Sequence, residues 1–116
     1  MKLATLAEKI GARLLTPGKT LNVAADQVYA GDRISDLLNA ASEHVLMVTN
    51  LASGQLTMMA GLLDVPCICL VNSQMPDETM LRSAREHGTA ILVSSCGLFE
   101  TCGRIYRCLA EEDHLP

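Results

Sequence analysis

The sequence predicts a small α/β domain with three layers, in which helices flank both faces of a mainly parallel sheet. Four apolar runs alternate with four segments in which apolar residues recur at helical spacing. Two of the runs, 45–49 and 67–71, are apolar at nearly every position, as in strands that helices cover on both faces. Strand–helix units repeated in this way favour parallel strands joined by right-handed crossovers.

The first element is predicted to be a helix. Its apolar positions recur with helical period and are Leu3, Leu6, Ala7, Ile10 and Leu14. The helix is expected to continue through Leu14 and to end before the turn Thr16-Pro17-Gly18, because proline and glycine terminate helices. An extended stretch then leads to the first predicted strand.

Four strand–helix units follow, with strands predicted at 28–30, 45–49, 67–71 and 90–93. Each strand precedes a helix with one apolar face. The residues expected to face inward are Ile34, Leu37, Leu38 and Ala41 in the first helix, Leu56, Met59, Ala60 and Leu63 in the second, Met80, Leu81 and Ala84 in the third, and Leu98, Cys102, Ile105 and Leu109 in the last. Met58 is likewise expected to fill the core, whereas Met75 lies in a turn, where it can touch a ligand or a second subunit.

The length and charge of the chain limit the classes of protein to which it can belong. A chain of 116 residues fits one domain, 1–116, in which the acidic end at 110–116 is predicted to be a frayed tail. The net charge is -4 and the nine Lys and Arg are dispersed, which argues against nucleic-acid binding. No apolar run approaches the roughly 20 residues of a membrane span, and the first residues lack the apolar core of a signal peptide. We therefore expect a cytoplasmic protein with no membrane association.

The five cysteines predict reduced thiols rather than a disulfide framework or a metal site. Cys67 and Cys69 lie within an apolar run, where they act as small buried hydrophobes. Neither this pair nor Cys102 with Cys108 has the spacing of a structural zinc site. We expect no metal ion and no cofactor.

The turns that follow the predicted strands are rich in Asn, Ser, Thr and Gly. In a parallel sheet these turns meet at the edge where the strands end, which is where ligands of such folds bind. Arg33 is the only obvious cation there, and the backbone N–H groups of the polar turns are expected to join it in holding a small anionic or polar molecule. The candidate ligand-binding residues are Asp32, Arg33, Thr49, Asn50, Ser53, Gly54, Asn72, Ser73, Ser94 and Ser95.

Simpler roles for several of these residues remain open. Ser53, Asp77 and Ser95 also fit plain helix N-caps, with nothing bound. Asp32 and Arg33 also fit a surface ion pair of little energetic consequence.

Most catalytic motifs are absent from the sequence. There is no Gly-rich loop ending in Lys-Ser or Lys-Thr, and no set of three spaced glycines at the first turn. Cys96, beside Gly97 at a predicted helix start, has the surroundings of a nucleophile. No histidine stands at a position suited to activate it, because His44, His87 and His114 fall at the far ends of helices or in the tail.

Three stretches follow one another in the chain: Leu15-Thr16-Pro17-Gly18, then Val28-Tyr29-Ala30-Gly31-Asp32-Arg33, then an apolar strand ending in Thr49. Their order resembles that of the DRTGG domain, and the resemblance covers nearly the whole chain. In that family Asp32 and Arg33 correspond to the Asp-Arg half of the motif. The Thr-Gly-Gly half falls on Val71, Asn72 and Ser73, which is a departure. Asn72 can adopt a left-handed backbone, whereas Ser73 does so less readily.

The resemblance implies a regulatory module without established catalytic residues, found beside phosphotransacetylases, in CBS-containing pyrophosphatases and as stand-alone proteins encoded near iron-only hydrogenases. It implies a non-enzymatic homodimer that binds a small anionic or nucleotide-like ligand. The alternative is an interaction or adaptor module for a redox enzyme of the hydrogenase type, without a small ligand. A third reading is a thiol enzyme using Cys96. Kinase activity is not expected, because the chain lacks a phosphate cradle, a metal-binding carboxylate and a base.

Overall fold

The computed structural model of the chain describes residues 1–19 and 27–113, with side chains up to residue 111. Helices and strands alternate over most of the described part. In chain order the elements are α1 (Leu3–Ile10), β1 (Arg13–Thr16), β2 (Val28–Ala30), α2 (Ile34–Ala40), β3 (Leu46–Thr49), α3 (Gly54–Leu62), β4 (Cys67–Leu70), α4 (Glu78–His87), β5 (Ala90–Val93) and α5 (Leu98–Asp113).

The strands form one sheet in the order β1-β5-β4-β3-β2. Strands β2 to β5 are parallel neighbours, and β1 joins β5 as an antiparallel edge strand. Since β2 to β5 lie in sequence order, α2, α3 and α4 connect them on one face of the sheet, while α1 and α5 cover the other face. The predicted three-layer α/β fold with a mainly parallel sheet is confirmed.

Successive residues of each central strand enter different halves of the core. In β4, Cys67 and Cys69 pack toward α1 and α5, whereas Ile68 and Leu70 pack toward α2, α3 and α4. All four side chains are buried. This two-sided burial explains why the sequence of a central strand is apolar throughout rather than alternating.

The structure corrects the prediction for the first helix. Helix α1 ends at Ile10, because Gly11 adopts a left-handed conformation (φ 73°) and caps the helix. Leu14, predicted to extend the helix, lies instead in β1 and pairs with Leu92. The extended stretch expected before β2 includes 20–26, which lie outside the described residues.

Four further predictions about helices are corrected. Leu63 is the C-terminal cap of α3 and is exposed rather than inward-facing, and Met58 is also exposed. Ala41 is the cap of α2 rather than a member of it. Helix α5 continues to Asp113, so residues 110–113 are helical rather than a frayed tail, since nothing between Cys108 and Asp113 interrupts a helix. Residues 114–116 lie outside the described part.

None of the helices in the described part of the chain is long and apolar enough to cross a membrane.

Candidate functional site

The carboxyl ends of β2, β3, β4 and β5 meet at one edge of the sheet, here called the carboxyl edge. Four turns leave the sheet there, at 31–33, 50–53, 71–77 and 94–97. All ten candidate residues lie in these turns or at their borders. The structure therefore brings the predicted set to one edge, although its members differ in exposure and in hydrogen bonding.

Three of the candidate residues form a hydrogen-bonded row across the ends of β2, β3 and β4. The backbone N–H of Asn50 donates to Oδ1 of Asp32 at 3.1 Å. The side-chain amide of Asn72 donates through Nδ2 to Oδ1 of Asn50 at 3.5 Å. All three residues are exposed. We call Asp32, Asn50 and Asn72 the polar row.

The turn after β4 has an unusual backbone. Asn72 and Ser73 both adopt positive φ angles, 58° and 55°, and the N–H of Gln74 donates to the carbonyl of Val71 at 3.0 Å. Two consecutive left-handed residues closed by this bond form a type I′ turn. The side chains of Asn72 and Ser73 are exposed at its tip.

Several backbone N–H groups expected to face a ligand are engaged within the protein. Those of Asn72 and Ser73 donate to the carbonyls of Cys96 and Ser94, each at 2.8 Å, and that of Asn50 donates to Asp32. The expectation that these three groups are available is wrong, because the turns after β4 and β5 bond to each other. Within the described part of the chain, the N–H groups of Gly54 and Ser95 have no hydrogen-bond partner.

Two of the candidates are buried and hold the turns in place. Thr49 is fully buried, and its Oγ1 accepts from the N–H of Leu51. The Ser94 hydroxyl lies 2.9 Å from that of Thr101 and accepts from the N–H of Cys96. Thr101, on α5, was not a sequence candidate. No helical periodicity links the two, because Ser94 lies in the turn after β5 and Thr101 lies within α5.

The helix-cap interpretation is confirmed at two positions. Ser53 accepts from the N–H of Leu56 at 3.2 Å, and Asp77 accepts from the N–H of Met80 at 2.8 Å. Each side chain satisfies one of the free N–H groups of a helix start. Ser95 has no such bond and is exposed.

Arg33 is the only basic residue in the four turns. Its Nε lies 3.7 Å from Oδ2 of Asp36, and its side chain is 79% exposed. It is not paired with Asp32, whose carboxylate faces Asn50 instead. The guanidinium is therefore accessible, since an exposed ion pair of this length is weak and easily exchanged.

Comparison with known proteins gives a structural likeness. No family model and no curated protein matches the chain. Among solved structures, it is similar to the CBS and DRTGG domains of the regulatory region of Clostridium perfringens pyrophosphatase, crystallised with the activator diadenosine tetraphosphate. The TM-score is 0.71, with 11% sequence identity over 90% of this chain and 46% of that one.

The chain has a DRTGG-like fold. It spans about half the length of the matched chain, and at this identity the likeness concerns the fold alone. The resemblance noted in the sequence is thus supported by the architecture.

The residues onto which the sequence resemblance maps the two halves of the motif lie close together. Asp32 and Asn72 stand at the ends of the polar row, and Asn50 joins them. The left-handed backbone at Asn72 and Ser73 also gives a physical reason for glycines at these motif positions, because glycine adopts positive φ without steric cost.

The thiol groups of the domain differ in their surroundings. Burial raises the pKa of Cys67, and burial together with the nearby Cys102 raises that of Cys69 to about 12, so both stay protonated at neutral pH. Cys96 is half-buried at the carboxyl edge. The histidines of the described ranges, His44 and His87, precede β3 and β5 and so lie toward the opposite edge of the sheet. Residues 1–19 and 27–113 contain no group of three or more metal-ligating side chains.

A shallow groove of about 590 Å³ lies on the outer surface of α3 and α4, a feature that the sequence analysis did not predict. Met58 and Leu62 line it from α3, and Arg82, Glu86 and His87 line it from α4. It begins beside Gly54, near the carboxyl edge, and runs away from the polar row.

Proposed function

We propose that this chain is a non-catalytic regulatory module that binds a small anionic or nucleotide-like ligand at the carboxyl edge and works as a homodimer. The observation that carries the proposal is the polar row, which places exposed amide and carboxylate groups of three neighbouring turns side by side. The DRTGG-like fold supports it, because the similar structure is a regulatory region in complex with a dinucleotide activator.

The proposed contacts come from groups that are exposed at this edge. The guanidinium of Arg33 pairs with a phosphate more strongly than with Asp36, since charge-assisted bonds to phosphate can be bidentate. The Asn72 amide and the Ser73 hydroxyl supply neutral hydrogen bonds. The N–H groups of Gly54 and Ser95 add donors, because neither has a partner within the described residues.

Titration calorimetry with diadenosine tetraphosphate and with ATP tests this site. Replacing Arg33 by alanine is expected to weaken binding about tenfold or more, which corresponds to the loss of one charge-assisted hydrogen bond. Thermal unfolding is expected to change little, because the side chain is largely exposed. The matched control is Arg85→Ala, an exposed arginine in the last turn of α4. Equal affinity of the parent and Arg33→Ala would contradict the proposed contact.

The homodimer is the second part of the proposal and follows from the resemblance. Native mass spectrometry of the protein as purified reports the number of subunits and the mass of any retained small molecule. A dimer that carries extra mass would support both parts. A bare monomer would count against the dimer.

A second candidate function is a protein-interaction module, with a redox enzyme of the hydrogenase type as the partner that the resemblance implies. The observation that favours it is the α3–α4 groove and the neighbouring exposed side chains Met58, Leu62 and Leu63. Exposed apolar clusters of this kind are typical of protein-binding surfaces. Leu62→Ser separates the candidates, because it leaves ligand binding at the carboxyl edge intact while weakening a partner bound in the groove.

A further inference from the structure

Helix α5 exposes two of the three aromatic residues of the chain. The sequence contains one Phe and two Tyr, and no Trp. Phe99 is 94% exposed and Tyr106 is 77% exposed, both on α5. Aromatic side chains contribute the largest apolar areas to cores and interfaces, so leaving both in water is unfavourable for an isolated domain.

The two aromatic residues belong to a regular seam on this helix. Phe99, Gly103, Tyr106 and Ala110 are spaced by four, three and four residues, which places them on one stripe, as in a coiled coil. The buried positions Thr101, Ile105 and Cys108 lie on the opposite face of the helix. A Cβ atom at Gly103 would meet no other atom within 4 Å, so the seam has open space at its centre.

Large and small residues alternate along this α5 seam, and the alternation is self-complementary. An antiparallel pairing about a two-fold axis between residues 104 and 105 places Phe99 opposite Ala110 of the second copy. The same axis places Gly103 opposite Tyr106. Each large side chain then meets a small one in every layer, which is how helix interfaces interdigitate.

The charges beside the seam fit the same arrangement. Glu100 and Arg107 lie on the same flank of the helix, and the antiparallel pairing brings each close to its opposite charge on the second copy. Arg107 has no ion-pair partner among the described residues, and Glu100 bonds only Arg104, at 3.0 Å. A parallel pairing would instead place Phe99 against Phe99 and Tyr106 against Tyr106, and it would put Glu100 and Arg107 of the two copies on opposite sides of the interface, where they cannot pair.

We infer that the α5 seam is the surface on which a second copy of this chain docks, with the two α5 helices antiparallel. The inference rests on the homodimer of the proposed function and names its interface. It is independent of the ligand site, because the seam lies on the α1–α5 layer. A single helix pair is smaller than the roughly 800 Å² per partner of a standard interface, so the dimer dissociates on dilution.

Sedimentation velocity over a range of protein concentrations tests the interface. The parent is expected to pass from monomer to dimer as its concentration rises. Phe99→Ser removes a large side chain from the seam and is expected to raise the dissociation constant at least about tenfold, as for other central aromatic residues of interfaces. The control is Leu62→Ser, an apolar residue of α3 that is also largely exposed (67%), which is expected to leave the dissociation constant unchanged.

Gly103→Leu gives the sharper test. Its side chain enters open space in the monomer and adds apolar surface, so unspecific association would become stronger. In the proposed seam the same side chain blocks the place of Tyr106 of the second copy, and the dimer becomes at least about tenfold weaker. Far-UV circular dichroism confirms that each variant keeps its helices.

Two results would overturn the inference. A parent that stays monomeric at every concentration excludes both this interface and the homodimer of the proposed function. A dimer that both Phe99→Ser and Gly103→Leu leave unchanged excludes the α5 seam alone, since the copies then meet elsewhere. Nucleotide titration of the same samples reports on the ligand site separately.

Discussion

Asn72 and Ser73 hold the carboxyl edge in a backbone conformation that ordinary residues avoid. A left-handed conformation costs a residue with a side chain about 1–2 kcal/mol, and less for Asn. The turn keeps this conformation because the N–H groups of both residues bond the turn after β5. The result is a tip that carries an amide and a hydroxyl where glycines would leave bare backbone.

Replacing Ser73 by glycine should stabilise the protein by about 0.5–1 kcal/mol, since the relief of the left-handed strain exceeds the added entropy of the unfolded chain. Among the described residues the Ser73 side chain has no hydrogen-bond partner that would be lost. Urea denaturation measures the change. Ser95→Gly is the control, because Ser95 is also exposed but has no positive φ, and it should be mildly destabilising. Destabilisation by Ser73→Gly would contradict the strain argument.

The thiol of Cys69 makes stability depend on pH in the alkaline range. Its pKa in the folded protein is about 12, because burial disfavours the thiolate, whereas the ordinary value is 9.0. The unfolded chain loses this proton first. The contribution of the protonated Cys69 thiol to the free energy of unfolding is therefore complete below pH 9 and is lost as the pH rises from 9 toward 12.

Removing this thiol should flatten the pH dependence. The free energy of unfolding of the parent should fall with pH above 9, and Cys69→Ala should reduce that slope by about 1.4 kcal/mol per pH unit. Ile68→Val, a truncation in the same strand without a titrating group, should leave the slope unchanged. Equal slopes in the parent and Cys69→Ala would show that this thiolate is not disfavoured in the folded state.

At the scale of elements, α3 and α4 pack so closely that no side chain fits at their contact. A Cβ atom on Gly61 would lie 2.6 Å from Cβ and Cδ2 of His87, well inside van der Waals contact. These atoms lie near the His87 backbone, so the ring cannot simply swing away. Close helix contact of this kind explains why a glycine occupies the last turn of α3.

Gly61→Ala should therefore destabilise the protein by about 1–3 kcal/mol through overpacking. The matched substitution Gly103→Ala, in the open seam of α5, should stabilise it by about 1 kcal/mol, because alanine is the better helix former. Thermal unfolding at low protein concentration compares the two. If both variants stabilised the protein, helix propensity alone would explain the result and the close contact at Gly61 would be contradicted.

The sequence predicts some of the helices and strands better than others. The strands β2 to β5 follow from apolar runs, because burial on both faces leaves few alternatives. Strand β1 was missed, since Leu14 continues the helical spacing of α1 and only the left-handed Gly11 shows that the helix has ended. The edge position of β1 comes from pairing with β5, a contact between residues almost 80 apart that no local pattern contains.

The candidate site was predicted in position but not in detail. Parallel strands fix which turns meet, so the ten residues could be chosen from the sequence. The sequence does not show which N–H groups stay free, because those of Asn50, Asn72 and Ser73 donate to partners on other turns. The burial of Ser94 depends likewise on how α5 packs against the sheet, because its hydroxyl lies 2.9 Å from that of Thr101.

At the scale of the whole molecule, the last two turns at the carboxyl edge lead to helices on opposite faces of the sheet. The turn after β4 leads to α4 on one face, and the turn after β5 leads to α5 on the other. Ligands of open α/β sheets bind where neighbouring connections diverge in this way. Asn72 and Ser95 stand on the two sides of this divergence, with the polar row extending from it toward β2.

The fold also separates the proposed activities in space. The proposed ligand site occupies the carboxyl edge, the α3–α4 groove lies on one outer layer, and the α5 seam lies on the other. In the proposed regulatory module this separation lets a ligand influence assembly without competing with a second copy for the same surface.

The most direct measurement is a nuclear magnetic resonance titration of the labelled protein with diadenosine tetraphosphate, following backbone and side-chain amide signals. We expect the largest shifts at the carboxyl edge, in the Asn72 side-chain amide and in the N–H groups of Gly54 and Ser95, with smaller shifts in Arg33→Ala. Shifts confined to the groove residues Met58, Leu62 and Arg82, or no shifts with either this dinucleotide or ATP, would contradict a ligand site at this edge.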